Sequence, residues 1–278
     1  MAKKRENRTD MMIAEVAINA SSLARRPLTL RFSFSAGVCL MLLDKLAHKV
    51  LPTLDRSLRS IYPQSFPFRC FQAAVTLDVY LAEQGVDSRV VAGDFEVTTR
   101  NSITGHEESH GFGHPESCYS HFWVEAMGRL IDIMPRYIPD GYGGTVLRPP
   151  MLMWKMTSPL PNSFRYKVRD PNPPLKRLMG EGDCEIISDF LEDFRKRLKQ
   201  GPQSITPRPL LRGPACILSH ARKRDPWCVW SALAYPTPIE PSGPASKIRV
   251  SAGPAVHGGA TALAAIQSKK GSSQHRRR

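Results

Sequence analysis

Apolar positions change their period along the chain, and each change marks a predicted element. From Asp10 to Arg25, Met11, Met12, Ile13, Val16 and Ala17 gather toward one side of a helix. Leu28 to Phe34 (LTLRFSF) alternates, as a short strand does. Ser35 is placed to cap a second helix running to about Leu51, with Val38, Leu42, Leu43 and Leu46 supplying its packing. Pro52 and Pro63 bracket a connecting segment. A third helix is expected from Cys70 to about Glu83, where Ala73, Ala74, Leu77 and Leu81 recur at helical spacing and Gly85 provides the stop.

Period two follows. Ser88 to Val97 is rich in β-formers around Gly93 and reads as a strand. Tyr119 to Glu125 and Leu130 to Met134 read as two more, joined by a tight turn at Ala126 to Arg129 that contains Gly128. Between them lies a polar stretch, Thr98 to Cys118, with three histidines and three glycines, read as a long loop. Residues 135–182 are proline-rich and irregular, with a short strand at Phe164 to Val168. Asp183 caps a last helix to about Gln200, striped by Ile186, Ile187, Phe190, Leu191, Phe194 and Leu198. A helix followed by antiparallel strands predicts an α+β fold, with the Cys70 helix packed on an antiparallel sheet.

Composition divides the chain. The 278 residues carry a net charge of +14, but residues 200–278 alone hold 12 Lys/Arg against 2 Asp/Glu, with ten prolines and seven glycines. The reading is a folded domain over 10–200 and a basic, Pro/Gly-rich tail over 201–278 that is expected to be disordered. The six cysteines are far apart and no CxxC pair occurs, so a paired zinc knuckle is not expected. MAKKRENRTDMM is not followed by an apolar signal core, and the longest apolar run, Ala36 to Leu43, is too short to cross a bilayer. These features lead us to expect a cytoplasmic protein with reduced thiols and no membrane partner.

A free thiol invites chemistry. Cys70 opens its helix just after Pro67, where unpaired amides and the helix dipole favour a thiolate and can also stabilise an oxyanion. His121 and Asp132 follow on the two paired strands. With a two-residue turn at Met127–Gly128, Asp132 is the diagonal neighbour of His121 on one face. A four-residue loop places them directly opposite, and a three-residue loop puts them on opposite faces. In the first two registers the carboxylate can orient the imidazole, as the third member of a catalytic triad does.

C-F-Q-A-A at Cys70, H-F-W-V-E at His121 and G-R-L-I-D at Asp132 make the region 64–134 resemble the transglutaminase-like branch of the papain-like cysteine enzymes. The resemblance implies a nucleophile at Cys70, an acid–base at His121 and an orienting group at Asp132. The implied activity is that of a hydrolase, such as a thiol protease, or of an acyltransferase, acting on a peptide or amide substrate without a cofactor. By the same resemblance Gln64, six residues before Cys70, is a candidate oxyanion donor, although Phe66, Pro67 and Phe68 replace the small residues expected between them. Two alternatives come from other classes. The domain can be a non-catalytic binding module whose basic tail contacts nucleic acid or acidic partners. Alternatively, His106-Glu107-Glu108-Ser109-His110 matches H-E-x-x-H, the pattern of a zinc hydrolase when it lies on a helix, with His114 and Cys118 nearby in the chain.

Overall fold

Five β-branched residues (Val90, Val91, Val97, Thr98 and Thr99) favour an extended chain from Ser88 to Arg100, and the sheet is assembled around this strand, β1. The computed structural model describes residues 36–112, 121–141, 143–179, 183–200 and 209–235. The other strands are β2 (Glu107–Phe112), β3 (His121–Ala126), β4 (Arg129–Asp132), β5 (Met151–Lys155), β6 (Phe164–Asp170) and β7 (Leu210–Leu211). The fold is α+β, and every strand pair is antiparallel except β5 with β7, so the sheet is mixed.

β6 runs along one edge of β1, from Ala92 to Val97. β2 and β3 run end to end along the other edge: Arg100 to Phe95 face Glu107 to Phe112, and Gly93 to Ser88 face His121 to Ala126. Only Asp94 of β1 separates the two stretches, although residues 113–120 separate them in sequence. β3 and β4 are joined by Met127 and Gly128 alone, both at positive φ (51° and 68°), which is a type I′ hairpin turn.

The helical elements are α1 (Ala36–Lys45), a π-helical turn (Leu46–Val50), α2 (Leu51–Ile61), a 3₁₀ turn (Phe66–Phe68), α3 (Cys70–Glu83), a 3₁₀ turn (Met134–Tyr137) and α4 (Ile138–Gly141). They continue with α5 (Leu175–Leu178), α6 (Asp183–Gln200), α7 (Pro214–Arg222) and α8 (Pro226–Ala234). α3 ends in a Schellman motif: Val86 N–H donates to Leu81 O (2.9 Å) and Gly85 N–H to Ala82 O (3.0 Å), with Gly85 at φ 74°. The segment after Pro52 is helix, not a connection. Pro52 lacks an N–H and crowds the turn before it, and the wider π-helical turn there relieves both problems.

Alternation along the strands gives the sheet two apolar faces. One carries Val90, Val124, Ala126, Ile131 and Met153 against Ala73, Ala74, Leu77 and Leu81 of α3 and against Phe190 and Phe194 of α6. The other carries Val91, Phe95, Trp123, Leu130, Leu152 and Trp154. Its cover is Leu211, Ile217, Trp227 and Trp230, all from the region expected to be tail. The expected domain boundary at 200 is therefore corrected, because residues 209–235 add a strand and two helices to the core. The segments 10–25 and 28–34 and the basic end after 235 lie outside the described residues. The long loop and the irregular segment also hold more strand than expected: β1 reaches Arg100, β2 occupies Glu107–Phe112, and β5 is new.

Trp227 is fully buried and touches Phe164 at 5.3 Å between ring centroids. Trp227→Ala is expected to cost about 3–5 kcal/mol of unfolding free energy, measured by urea denaturation. A loss below about 1 kcal/mol would show that residues 209–235 are not part of the cooperative unit.

Candidate active site

The approach to Cys70 fixes its place at the start of α3. The 3₁₀ turn Phe66–Phe68 is stiffened by Pro67, and Arg69 breaks helical geometry (φ −107°, ψ 36°), so Cys70 is the first residue of α3. The half-buried thiol is free and lies in the field of the helix N-terminus. Behind it, Leu54, Ala74, Trp123, Asp132 and Met134 are among the residues that close a space of about 10 Å³. That is no more than a water molecule needs, so any larger molecule that reaches the thiol has to arrive from the solvent side.

His121 is fully buried as the first residue of β3. Its partner across the ladder is Gly93, where a Cβ would lie 2.1 Å from Lys167 O and 2.8 Å from the Trp123 ring. The missing side chain thus lets β6 close on β1 beside the histidine. Phe112 stacks on the imidazole (5.5 Å, 9°) and Phe95 lies 4.9 Å from it. These rings exclude water from one side of the imidazole.

Asp132, 4% exposed, ends β4. Its Oδ2 accepts from His121 Nε2 at 2.7 Å, and its Oδ1 accepts from the Met134 amide at 2.8 Å. A carboxylate partner requires the proton on Nε2, which leaves Nδ1 to face Cys70. Among the described residues no hydrogen bond of full geometry reaches Nδ1, but the Cys70 thiol is close enough to help raise the pKa of the ring. The two-residue turn is what makes this possible. Val124 pairs with Ile131, so the register continues to Trp123 beside Asp132 and leaves His121 on the diagonal. The site straddles the sheet: α3 packs on one face, while His121 and Asp132 lie on the other and meet Cys70 where β3 begins.

Burial by itself would push the His121 pKa down. The Asp132 charge and hydrogen bond, with a smaller contribution from Cys70, outweigh burial and raise it from 6.5 to about 10. The imidazole is therefore held as an imidazolium at neutral pH. A second group bears on the carboxylate: Tyr166 of β6 donates its hydroxyl to Asp132 Oδ2 at 2.7 Å. Burial, then the Asp132 charge, pushes the Tyr166 pKa well above its usual value, so the phenol stays protonated.

The structure thus brings Cys70, His121 and Asp132 together. Gln64 lies in an exposed turn before the 3₁₀ segment and is not among the residues lining the space at Cys70. Tyr166 was not foreseen. The only signal for it was the alternation of Phe164, Tyr166 and Val168, which puts a hydroxyl on an otherwise apolar strand face. The zinc reading loses its geometric basis, because Glu107 to His110 lie on strand β2. An extended chain separates positions four apart by about 13 Å, too far for one ion. Among the described residues no group of three His, Cys, Asp or Glu could hold a metal, and no helix is long and apolar enough to cross a membrane. His114 and Cys118 fall outside the described residues. No family model, curated protein or solved structure matches the chain.

Proposed function

We propose that this domain is a cysteine-nucleophile hydrolase or acyltransferase acting on an amide, of the transglutaminase-like kind its motifs resemble. One observation carries the reading: a thiol at a helix N-terminus faces an imidazole whose far nitrogen is held by a buried carboxylate. The Cys70 thiolate attacks the carbonyl carbon, a C–S bond forms, and the carbonyl π electrons pass to oxygen. The unpaired amides at the start of α3 stabilise that oxyanion. His121 Nδ1–H delivers its proton to the amide nitrogen as the C–N bond breaks, leaving a thioester on Cys70. His121, now neutral, takes a proton from water or an amine, which attacks the thioester and expels the thiolate. Asp132 holds the ring throughout, and no cofactor enters. A reducing compartment such as the cytoplasm keeps the nucleophile available.

The test is acylation by p-nitrophenyl acetate, read by peptide mass spectrometry. We expect an acetyl adduct on Cys70 in the native protein and none at that site in Cys70→Ala. An adduct spread evenly over the other free cysteines, or no adduct at all, would overturn the proposal.

A further inference from the structure

We infer that Tyr166 is a positioning residue of the site: its phenol holds the Asp132 carboxylate by donating to the same oxygen that receives His121, and so sets how tightly the imidazole keeps its proton. The inference rests on the Cys–His–Asp reading for its catalytic meaning, but its geometry stands alone. Three donors from three places converge on one carboxylate: His121 Nε2 from β3 and the Tyr166 hydroxyl from β6 on Oδ2, and the Met134 amide on Oδ1. They occupy three of the roughly four acceptor positions that a carboxylate has.

The phenol is held in this place. Its ring packs at 4.9 Å from Phe95 and edge-on to Trp123 at 5.2 Å. β6 lies on the edge of β1 opposite β3, so the contact with Asp132 spans the His121 face of the sheet. Simple packing would be served as well by phenylalanine. The hydroxyl adds a second donor on Oδ2, and a donor there draws negative charge away from His121. Without it the full charge of the carboxylate would act on the imidazole. The ring would then hold its proton more firmly and deliver it to a leaving amine more slowly. Asp132 of β4 and Cys70 of α3 are the charged or titratable groups acting on the His121 ring, while Tyr166 acts on it through Asp132.

The experiment follows the ring nitrogens of His121 by NMR across a pH titration of the full chain with isotope-labelled histidine. It compares the native protein, Tyr166→Phe, and the chain with ring-fluorinated tyrosine at position 166, which is a stronger donor. The expected result is a titration midpoint that rises in Tyr166→Phe and falls with the fluorinated ring, each by about half a unit or more, a factor of about three in the proton equilibrium. Midpoints that stay put, or that move the same way in both variants as a packing change would cause, overturn the inference. Should Tyr166→Phe fail to fold, the fluorinated chain decides alone: a fall supports the inference, and no change or a rise defeats it. The reading does not require turnover. A native protein that fails to acylate at Cys70 would defeat the proposed function and leave this titration as a separate result.

Discussion

Alkylation of Cys70 by iodoacetamide just below neutral pH is expected to slow by about 100-fold when His121 is replaced by glutamine. Glutamine keeps an amide donor for Asp132 and much of the buried volume, but it cannot carry a charge. The native ring is charged well past neutrality, because Asp132 and Cys70 raise its pKa to about 10 against the opposing effect of burial. A positive ring beside the thiol offers the sulfur a charge partner and a proton carrier during its attack, and glutamine offers neither. Internal controls are available. Cys184 and Cys216 should react at unchanged rates in the variant. Cys228, fully buried and with its thiol pKa pushed up by burial and then by Asp225, should stay inert in both proteins. Equal rates for Cys70 in the native protein and the variant would mean that the imidazole does not act on the thiol, and the proposed chemistry would fall with it.

Asp132→Ala is expected to lose about 3–5 kcal/mol of stability, the usual cost of removing one partner from a buried charge pair. Three donors would be left without an acceptor in the core: the His121 ring, the Tyr166 hydroxyl and the Met134 amide. The pH dependence provides a second reading. His121 binds its proton more tightly in the folded state than in the unfolded one. Its contribution is therefore complete below the unfolded value of 6.5 and is lost as pH rises through about 10. Urea denaturation of the native protein should show stability declining over that window, and in Asp132→Ala the decline should flatten. A native profile with no decline over that window, or a variant within about 1 kcal/mol of native at neutral pH, would contradict the electrostatic account of the site.

Local periodicity made part of this molecule legible. α3 and α6 start and end where their apolar spacing and punctuation place them, at Cys70–Glu83 and Asp183–Gln200. The chain order of Cys70, His121 and Asp132 could be read, but not the register that relates the last two. Gly128 suits each of the three loop lengths, and the choice is settled by Met127 at φ 51°, a conformation no side-chain pattern announces. β5 was hidden because MLMWK is buried on both faces until its last residue and so does not alternate. α2 was hidden by Pro52, whose cost is absorbed by an unusual turn upstream. Averaging over the basic C-terminal part obscured Trp227 and Trp230. Tyr166 meets Asp132 from 34 positions away, and a contact of that range leaves no local trace.

The end-to-end placement of β2 and β3 beside β1 changes what the chain can tolerate. In an ordinary hairpin, adding one residue to a strand turns every later side chain to the opposite face. Here Phe112 is pinned opposite Phe95, and His121 is pinned independently opposite Gly93. The stretch between these anchors can lengthen or shorten, by odd or even steps, without rotating the histidine away from its carboxylate. Insertions and deletions next to His121 can therefore accumulate while His121 and Asp132 keep their alignment.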